Sequence, residues 1–359
     1  MVYRAKRGNP PKSLRGRSPW QSQEFLRYAQ GRASSHRSSQ RQLSLHVDKN
    51  RSVLRNWSLA RRKKALQQRA DILQAIRDFF TAEGFFEVET PHRIPAPAPE
   101  SHIDAIPSGP WFLHTSPELC MKRMLAAGYE KIFQICRCWR AGERGNQHIP
   151  EFTLLEWYHS GIDYRMLMEE CASLIQTVAS KTGVGERVIF RNQAIDLTSP
   201  WERIPVRAVF HDYAKTTMEE ALKNGLFDEI MVRDIEPRLG VRKPTFIYDY
   251  PAQRGALARL SPEDKTVAER FELYVGGLEL ANGFSELVDS EEQRRRFENE
   301  NENRQGMGKS AYAMPEKFLE ELKEMPLSAG IALGIDRLVM VFLDAPSIDE
   351  VVAFTPEEL

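Results

Sequence analysis

Residues 134–158, Gln-Ile-Cys-Arg-Cys-Trp-Arg-Ala-Gly-Glu-Arg-Gly-Asn-Gln-His-Ile-Pro-Glu-Phe-Thr-Leu-Leu-Glu-Trp-Tyr, constrain the fold more than any other stretch. An apolar-rich run ends at Trp139, a charged, glycine-containing segment fills 140–150, and a second run starts at Glu151. That pattern predicts two strands joined by a long polar turn. Strand parity places Phe152, Leu154, Glu156 and Tyr158 on one face, an aromatic ring, a carboxylate and a phenol together. Arg140 ends the first strand, where its guanidinium can reach a phosphate held between the two. The set describes a nucleotide platform with an amine-binding carboxylate beside it. A solvated hairpin arginine and a surface Glu156 are the plainer reading of each residue alone.

The chain has 359 residues, enough for one large domain or two ordinary ones, and its 42% apolar content suits a soluble globular protein. No apolar run approaches the roughly 18 residues a membrane helix needs, so no membrane association is expected and the location is read as cytoplasmic. Charge balances overall but not along the chain. Residues 1–65 hold 17 Lys or Arg against Glu24 and Asp48, so the remaining 294 carry a net −15. An acidic body is a poor non-specific surface for nucleic acid, which needs clustered Lys and Arg. Residues 1–65 are rich in Arg, Ser, Gln and Pro without a sustained apolar period, which reads as a disordered basic tail. A mitochondrial transit peptide or a start codon placed too far upstream would have the same composition. Of the four cysteines, Cys120, Cys136, Cys138 and Cys171, the Cys136-x-Cys138 pair has neither redox nor zinc spacing, so reduced structural thiols are expected.

A helix is expected from near Leu66, with Ile72, Leu73, Ile76, Phe79 and Phe80 at helical spacing and Gly84 as its stop. A strand follows over residues 85–91, then a proline-rich loop over 91–110. Ser116 is a natural N-cap for a helix from Leu119 to Ala127, and Glu118 in its first turn complements the helix dipole. The pattern of residues 164–179 is helical, residues 183–243 read as a peripheral subdomain of low functional content, and residues 244–251 read as a strand between prolines. In residues 270–286, Glu272 and Glu279 are an odd number apart and would face opposite sides of a regular strand. A bulge at Gly276-Gly277 would bring both to one face, where two carboxylates can hold Mg²⁺ against phosphate oxygens. Residues 290–310 read as a solvated helix and loop. Finally, Ala332-Leu333-Gly334-Ile335-Asp336-Arg337 runs from a strand into a helix whose N-terminus suits a phosphate.

These stretches, in this order, resemble the three motifs of class II aminoacyl-tRNA synthetases, and His148 with Pro150-Glu151-Phe152-Thr153 and Glu156 resembles the lysyl branch. The resemblance covers residues 66–359. It implies an α+β catalytic domain, an antiparallel six- or seven-stranded sheet flanked by helices, assembled as a homodimer through the first motif. It also implies that ATP lies against Arg140, His148, Phe152, Glu279, Leu280, Gly334 and Arg337, with Arg140 and Arg337 catalytic and Phe152 stacked on adenine. The amino acid would lie against Ser116, Pro117, Glu118, Glu156, Tyr158, Asn282, Phe284, Glu286 and Ala332, and Mg²⁺ on Glu272 and Glu279. One departure stands out: the family's Phe-Arg-x-Glu is Trp139-Arg140-Ala141-Gly142 here, leaving Glu143 as a possible replacement for the missing carboxylate.

Lysyl-tRNA synthetases carry an anticodon-binding β-barrel before the first motif, whereas only the basic tail precedes it here. That arrangement resembles the ligases that activate (R)-β-lysine, or lysine, with ATP and attach it to a lysine of translation elongation factor P. The implied partner is that factor rather than tRNA. A truncated lysyl-tRNA synthetase and an idle paralogue serving as a regulatory binding module are the alternatives. Ala332, where lysyl-tRNA synthetases typically have glycine, is expected to crowd an α-amino group and favour the β-isomer.

Overall fold

The expected hairpin forms and lies within one large sheet. The computed structural model describes residues 57–359, and residues 1–56, most of the expected basic tail, lie outside them. In chain order the elements begin with α1 (Trp57–Ala82), β1 (Phe86–Glu87), β2 (Arg93–Ile94), β3 (Pro107–Ser108), β4 (Trp111–Leu113), α2 (Glu118–Ala126), β5 (Lys131–Trp139) and β6 (Glu151–Ser160). Then come α3 (Tyr164–Lys181), β7 (Arg187–Phe190), β8 (Gln193–Asp196), β9 (Glu202–Pro205), α4 (Val206–Tyr213), α5 (Met218–Lys223), α6 (Phe227–Ile230), β10 (Thr245–Pro251), β11 (Val267–Val275) and β12 (Leu278–Ser285). The chain closes with α7 (Ser290–Gly306), α8 (Glu316–Glu321), β13 (Ser328–Gly334) and α9 (Ile335–Leu343). Among the described residues no helix is long and apolar enough to cross a membrane.

Eight strands pair in the order β1-β5-β6-β13-β12-β11-β10-β9. The six central strands are antiparallel; β1 and β9, short edge strands, pair in parallel with β5 and β10. The expected six- or seven-stranded antiparallel sheet is thus present, with short parallel additions at both margins. Parity divides its faces. Leu155 and Trp157 of β6 join a fully buried layer with Ile72, Ile76 and Phe80 of α1, Leu167 and Leu174 of α3, and Leu338 and Val339 of α9. Leu154, Glu156 and Tyr158 face the other side, which α2, α7 and α8 wall off through Leu119, Leu125, Phe297 and Phe318. Burying such a layer of large side chains stabilises the sheet by roughly 1.5–3 kcal/mol per side chain.

The helix expected from near Leu66 starts at Trp57. Its inward stripe runs on from Ile72 to Arg69 and Arg62, both buried, so the continuation is cationic and shows no apolar period. Arg62 donates to the carbonyls of Val352 and Ala353 and pairs with Glu358. Residues 183–243 are not segregated either: β9 extends the main sheet, and Val209, Phe210, Phe227 and Ile235 pack on Ile247 and Tyr274 of β10 and β11. The helix within 290–310 is present, but Gln293, Phe297 and Arg304 are buried, so it is a wall of the molecule rather than a fully solvated element.

Candidate active site

A cavity of about 940 Å³ opens on the face of β6, β13, β12 and β11 that carries Glu156 and Tyr158, walled in part by α2 and α7. Its walls include every residue expected to bind ATP, the amino acid or metal except Pro117 and Glu286. Both are buried, Pro117 at the N-cap position of α2 and Glu286 just past β12.

One end of the cavity is lined by carboxylates. Ser116, expected as the N-cap, lies one residue earlier. Its hydroxyl accepts from the Glu118 amide at 3.0 Å and donates to Glu156 Oε1 at 2.6 Å. Tyr158 donates to Glu156 Oε2 at 2.9 Å. Lys122, a residue the sequence did not single out, is fully buried one helical turn beyond Glu118. Its ammonium lies 2.6 Å from Glu118 Oε1 and 2.5 Å from Glu286 Oε2, and 5.0 Å from the Phe284 ring centroid. Glu118 and Glu286 share Lys122 while Glu156 has hydroxyl partners only, so the three carboxylates and one cation leave a net of −2 when all are ionised. Burial first, then the neighbouring Glu118 charge, pushes Glu156 up to about 8. Burial likewise raises Glu286 to about 8 despite Lys122, as expected for anions removed from water without full compensation. Gly330 of β13 makes room for this set. A Cβ there would stand 2.3 Å from Tyr158 Cε1 and 2.4 Å from Glu286 Oε1, distances no side chain can occupy.

The parity conflict between Glu272 and Glu279 is resolved, but not where expected. Gly276 and Gly277, both at positive φ, form the turn between two separate strands, which needs left-handed residues. The extra residue is Leu280: Leu273 pairs with Ala281 and Tyr274 with Glu279, leaving Leu280 unmatched. This bulge puts Glu279 and Asn282 on the face shared by Glu272 and Tyr274. Glu272 is held by Arg270 at 2.6 Å and by the hydroxyls of Tyr250 and Tyr274 at 2.6 and 2.7 Å. Glu236, from the stretch read as peripheral, also faces this pair. Burial and the charges of Glu272 and Glu279 push it up to about 7, the mark of anions gathered around too little positive charge. Hard carboxylate oxygens with unsatisfied negative charge suit Mg²⁺.

At the other end, Arg337 donates to the Glu279 carbonyl at 2.8 Å and lies 2.7 Å from His148 Nε2. Burial and the adjacent Arg337 hold His148 below its ordinary pKa, so the neutral ring accepts from the guanidinium. Gly334 begins α9, and a Cβ there would meet only Arg337, at 3.6 Å. No other protein atom crowds that position, so space is left open at the N-terminus of α9. Asp336, beside Arg337, faces inward: it accepts from the Thr153 amide at 2.7 Å and pairs with Arg69 of α1 at 2.6 Å. The Arg140 guanidinium lies 5.0 Å over the Phe152 ring, so a base stacked on Phe152 takes the opposite face or displaces it. Glu143 lies 4.0 Å from Arg140, whereas Gly142 sits at positive φ. Glu143 is thus the carboxylate nearest Arg140 on this turn, one residue after Gly142.

Comparison with known proteins identifies this arrangement. The model of class II tRNA synthetases (D, K and N) matches residues 47–358. The chain belongs to this family. Its relatives include elongation factor P (R)-beta-lysine ligases from Vibrio atlanticus strain LGP32, 41% identical over 83% of this chain and 97% of the relative. Those of Hamiltonella defensa subsp. Acyrthosiphon pisum strain 5AT and Proteus mirabilis strain HI4320 are each 40% identical over 84% of this chain and 98% of the relative. Within this class II site, Lys122, Glu236 and Gly330 are the residues sequence reasoning passed over. Glu100 is another, a half-buried cavity residue from the proline-rich loop whose carboxyl is pushed up to about 7 by desolvation. A lysine four residues after Glu118 was a visible signal for Lys122; nothing in the loop marked Glu100.

Proposed function

We propose that the protein is an ATP-dependent ligase that adenylates (R)-β-lysine and transfers it to a lysine side chain of translation elongation factor P. The observation that carries this reading is the charge count around Lys122: Glu118, Glu156 and Glu286 leave two negative charges for the two ammonium groups of a lysine isomer. Support for the acceptor comes from relatives named for that reaction and matched over nearly their whole length.

The chemistry follows from the site. The amino-acid carboxylate oxygen attacks the α-phosphorus of ATP and pyrophosphate leaves, giving the acyl-adenylate. The acceptor amine then attacks the acyl carbon, AMP leaves, and the amine loses a proton. Arg140 and Arg337 stabilise charge developing on the phosphates, while Ser116, Glu156 and Tyr158 fix the amine so that the carboxylate reaches phosphorus. Glu272 and Glu279 would hold Mg²⁺, which neutralises phosphate oxygens when bound. Discrimination between isomers is assigned to Ala332, whose register neighbours are Glu156 on β6 and Asn282 on β12. A cytoplasmic homodimer fits the edge of the sheet, where exposed Phe86 stacks on exposed Tyr129. ATP–pyrophosphate exchange tests the reading: exchange should depend on (R)-β-lysine and be weaker with α-lysine. Exchange with neither isomer would refute it.

A further inference from the structure

Cys136 and Cys138 are two residues apart on β5, hence on one face, opposite Leu154 and Phe152 in register. Their sulfurs are 3.9 Å apart. His114 joins them from the segment before α2, carried there by main-chain bonds from Trp139 N to its carbonyl at 3.0 Å and from its own amide to His92 O at 2.9 Å. Its Nε2 lies 3.9 Å from Cys138 Sγ, and the ligand atoms of all three residues lie within 4.8 Å of one another. All three side chains are buried, and His114 Nδ1 has no protein partner.

These distances approach those of a coordination sphere. A tetrahedral ion with metal–sulfur bonds of about 2.3 Å and metal–nitrogen bonds of about 2.0 Å sets its sulfurs about 3.8 Å apart and sulfur from nitrogen about 3.5 Å. The two 3.9 Å spacings need adjustments of only a few tenths of an ångström, and the Cys136–His114 spacing, within 4.8 Å, closes by about an ångström at most to reach the same sphere. Charge agrees as well: two thiolates and a neutral imidazole cancel a divalent cation, so the loaded site is neutral and tolerates burial. Soft sulfur donors select zinc-like ions over Mg²⁺, which separates this cluster from the carboxylates of the cavity. The geometry points to a binding site for a thiophilic divalent cation, represented by Zn²⁺, formed by Cys136, Cys138 and His114. Binding releases two thiol protons and places the imidazole proton on Nδ1. Nε2 exchanges its 2.7 Å contact with the Arg137 carbonyl for the metal. All four cysteines are free thiols, in line with the sequence reading; the proposed metal role was not visible there because the third ligand, His114, lies 22 residues before Cys136.

The pair packs with Leu154, Phe152 and Ala332, so the ion would brace the wall behind both the nucleotide platform and the isomer-selecting methyl. The test uses the full chain, reduced and stripped with a chelator, then titrated with Co²⁺. Thiolate-to-cobalt charge-transfer bands saturating at one ion per chain, and bleached by Zn²⁺, are expected. They should be lost in Cys138→Ser and kept in Cys171→Ser. X-ray absorption on the Zn²⁺-loaded wild type provides a check that needs no variant: two sulfur scatterers support the site. A shell of nitrogen and oxygen alone, or charge-transfer bands that survive in Cys138→Ser, would overturn it.

Discussion

Binding of a diammonium amino acid should release protons. In the free site Glu156 and Glu286 are each pushed up to about 8 by burial, so at pH 7 each is about nine-tenths protonated. An ammonium group placed beside a carboxyl favours its charged form. Each glutamate can then give up as much as about 0.9 proton, and the site about one to two. At pH 9 both are already mostly ionised and release falls to about 0.2. Calorimetric titration with (R)-β-lysine in several buffers of one pH but different ionisation enthalpies reads this number as a slope. Release at pH 7 that fades by pH 9 is expected; proton uptake, or no exchange at pH 7, would refute the charge count around Lys122. Stability gives a second reading with its sign fixed. A carboxyl raised from 4.5 to about 8 stabilises the fold below pH 4.5 and loses that contribution as pH rises toward 8. The substrate-free protein should therefore melt lower at pH 8 than at pH 5.5 through these groups, and bound substrate should recover the difference.

Glu279→Gln removes a charge from the proposed Mg²⁺ pair at a partly exposed position, so exchange activity should vanish while circular dichroism and melting stay close to wild type. Ala332→Gly should shift the exchange preference toward α-lysine by roughly 1–3 kcal/mol, the worth of one methyl in a pocket; an unchanged isomer ratio removes Ala332 as the selector. Gly330→Ala places a methyl against Tyr158 and Glu286, and overpacking of that kind costs about 1–3 kcal/mol. Its signature should be a raised KM for the amino acid with the KM for ATP little changed.

The hairpin was legible because its alternation and its polar turn agree, so the placement of Phe152, Glu156 and Tyr158 on one face followed from parity alone. Resemblance of the ordered motifs around Arg140, Glu279 and Arg337 to the class II set implied one site, and all three line one cavity. What parity could not give was the position of the bulge. Gly276-Gly277 has the composition of either a bulge or a turn, and only pairing to β11 shows Leu280 as the unmatched residue. Buried charge was equally hidden. Arg62, Arg69 and Lys122 look like solvated helix residues, yet each lies inward against a carboxylate, and the first two caused the start of α1 to be placed too late. Glu236 and His114 reach their clusters across the fold, through contacts that no local pattern encodes.

The most direct test of the assigned reaction is the intact mass of elongation factor P after incubation with the protein, ATP and (R)-β-lysine, alongside a parallel incubation with tRNA. The account predicts that the factor gains the mass of one lysine residue, that the gain is lost when its acceptor lysine is replaced, and that tRNA remains uncharged. An unmodified factor together with aminoacylated tRNA would contradict it.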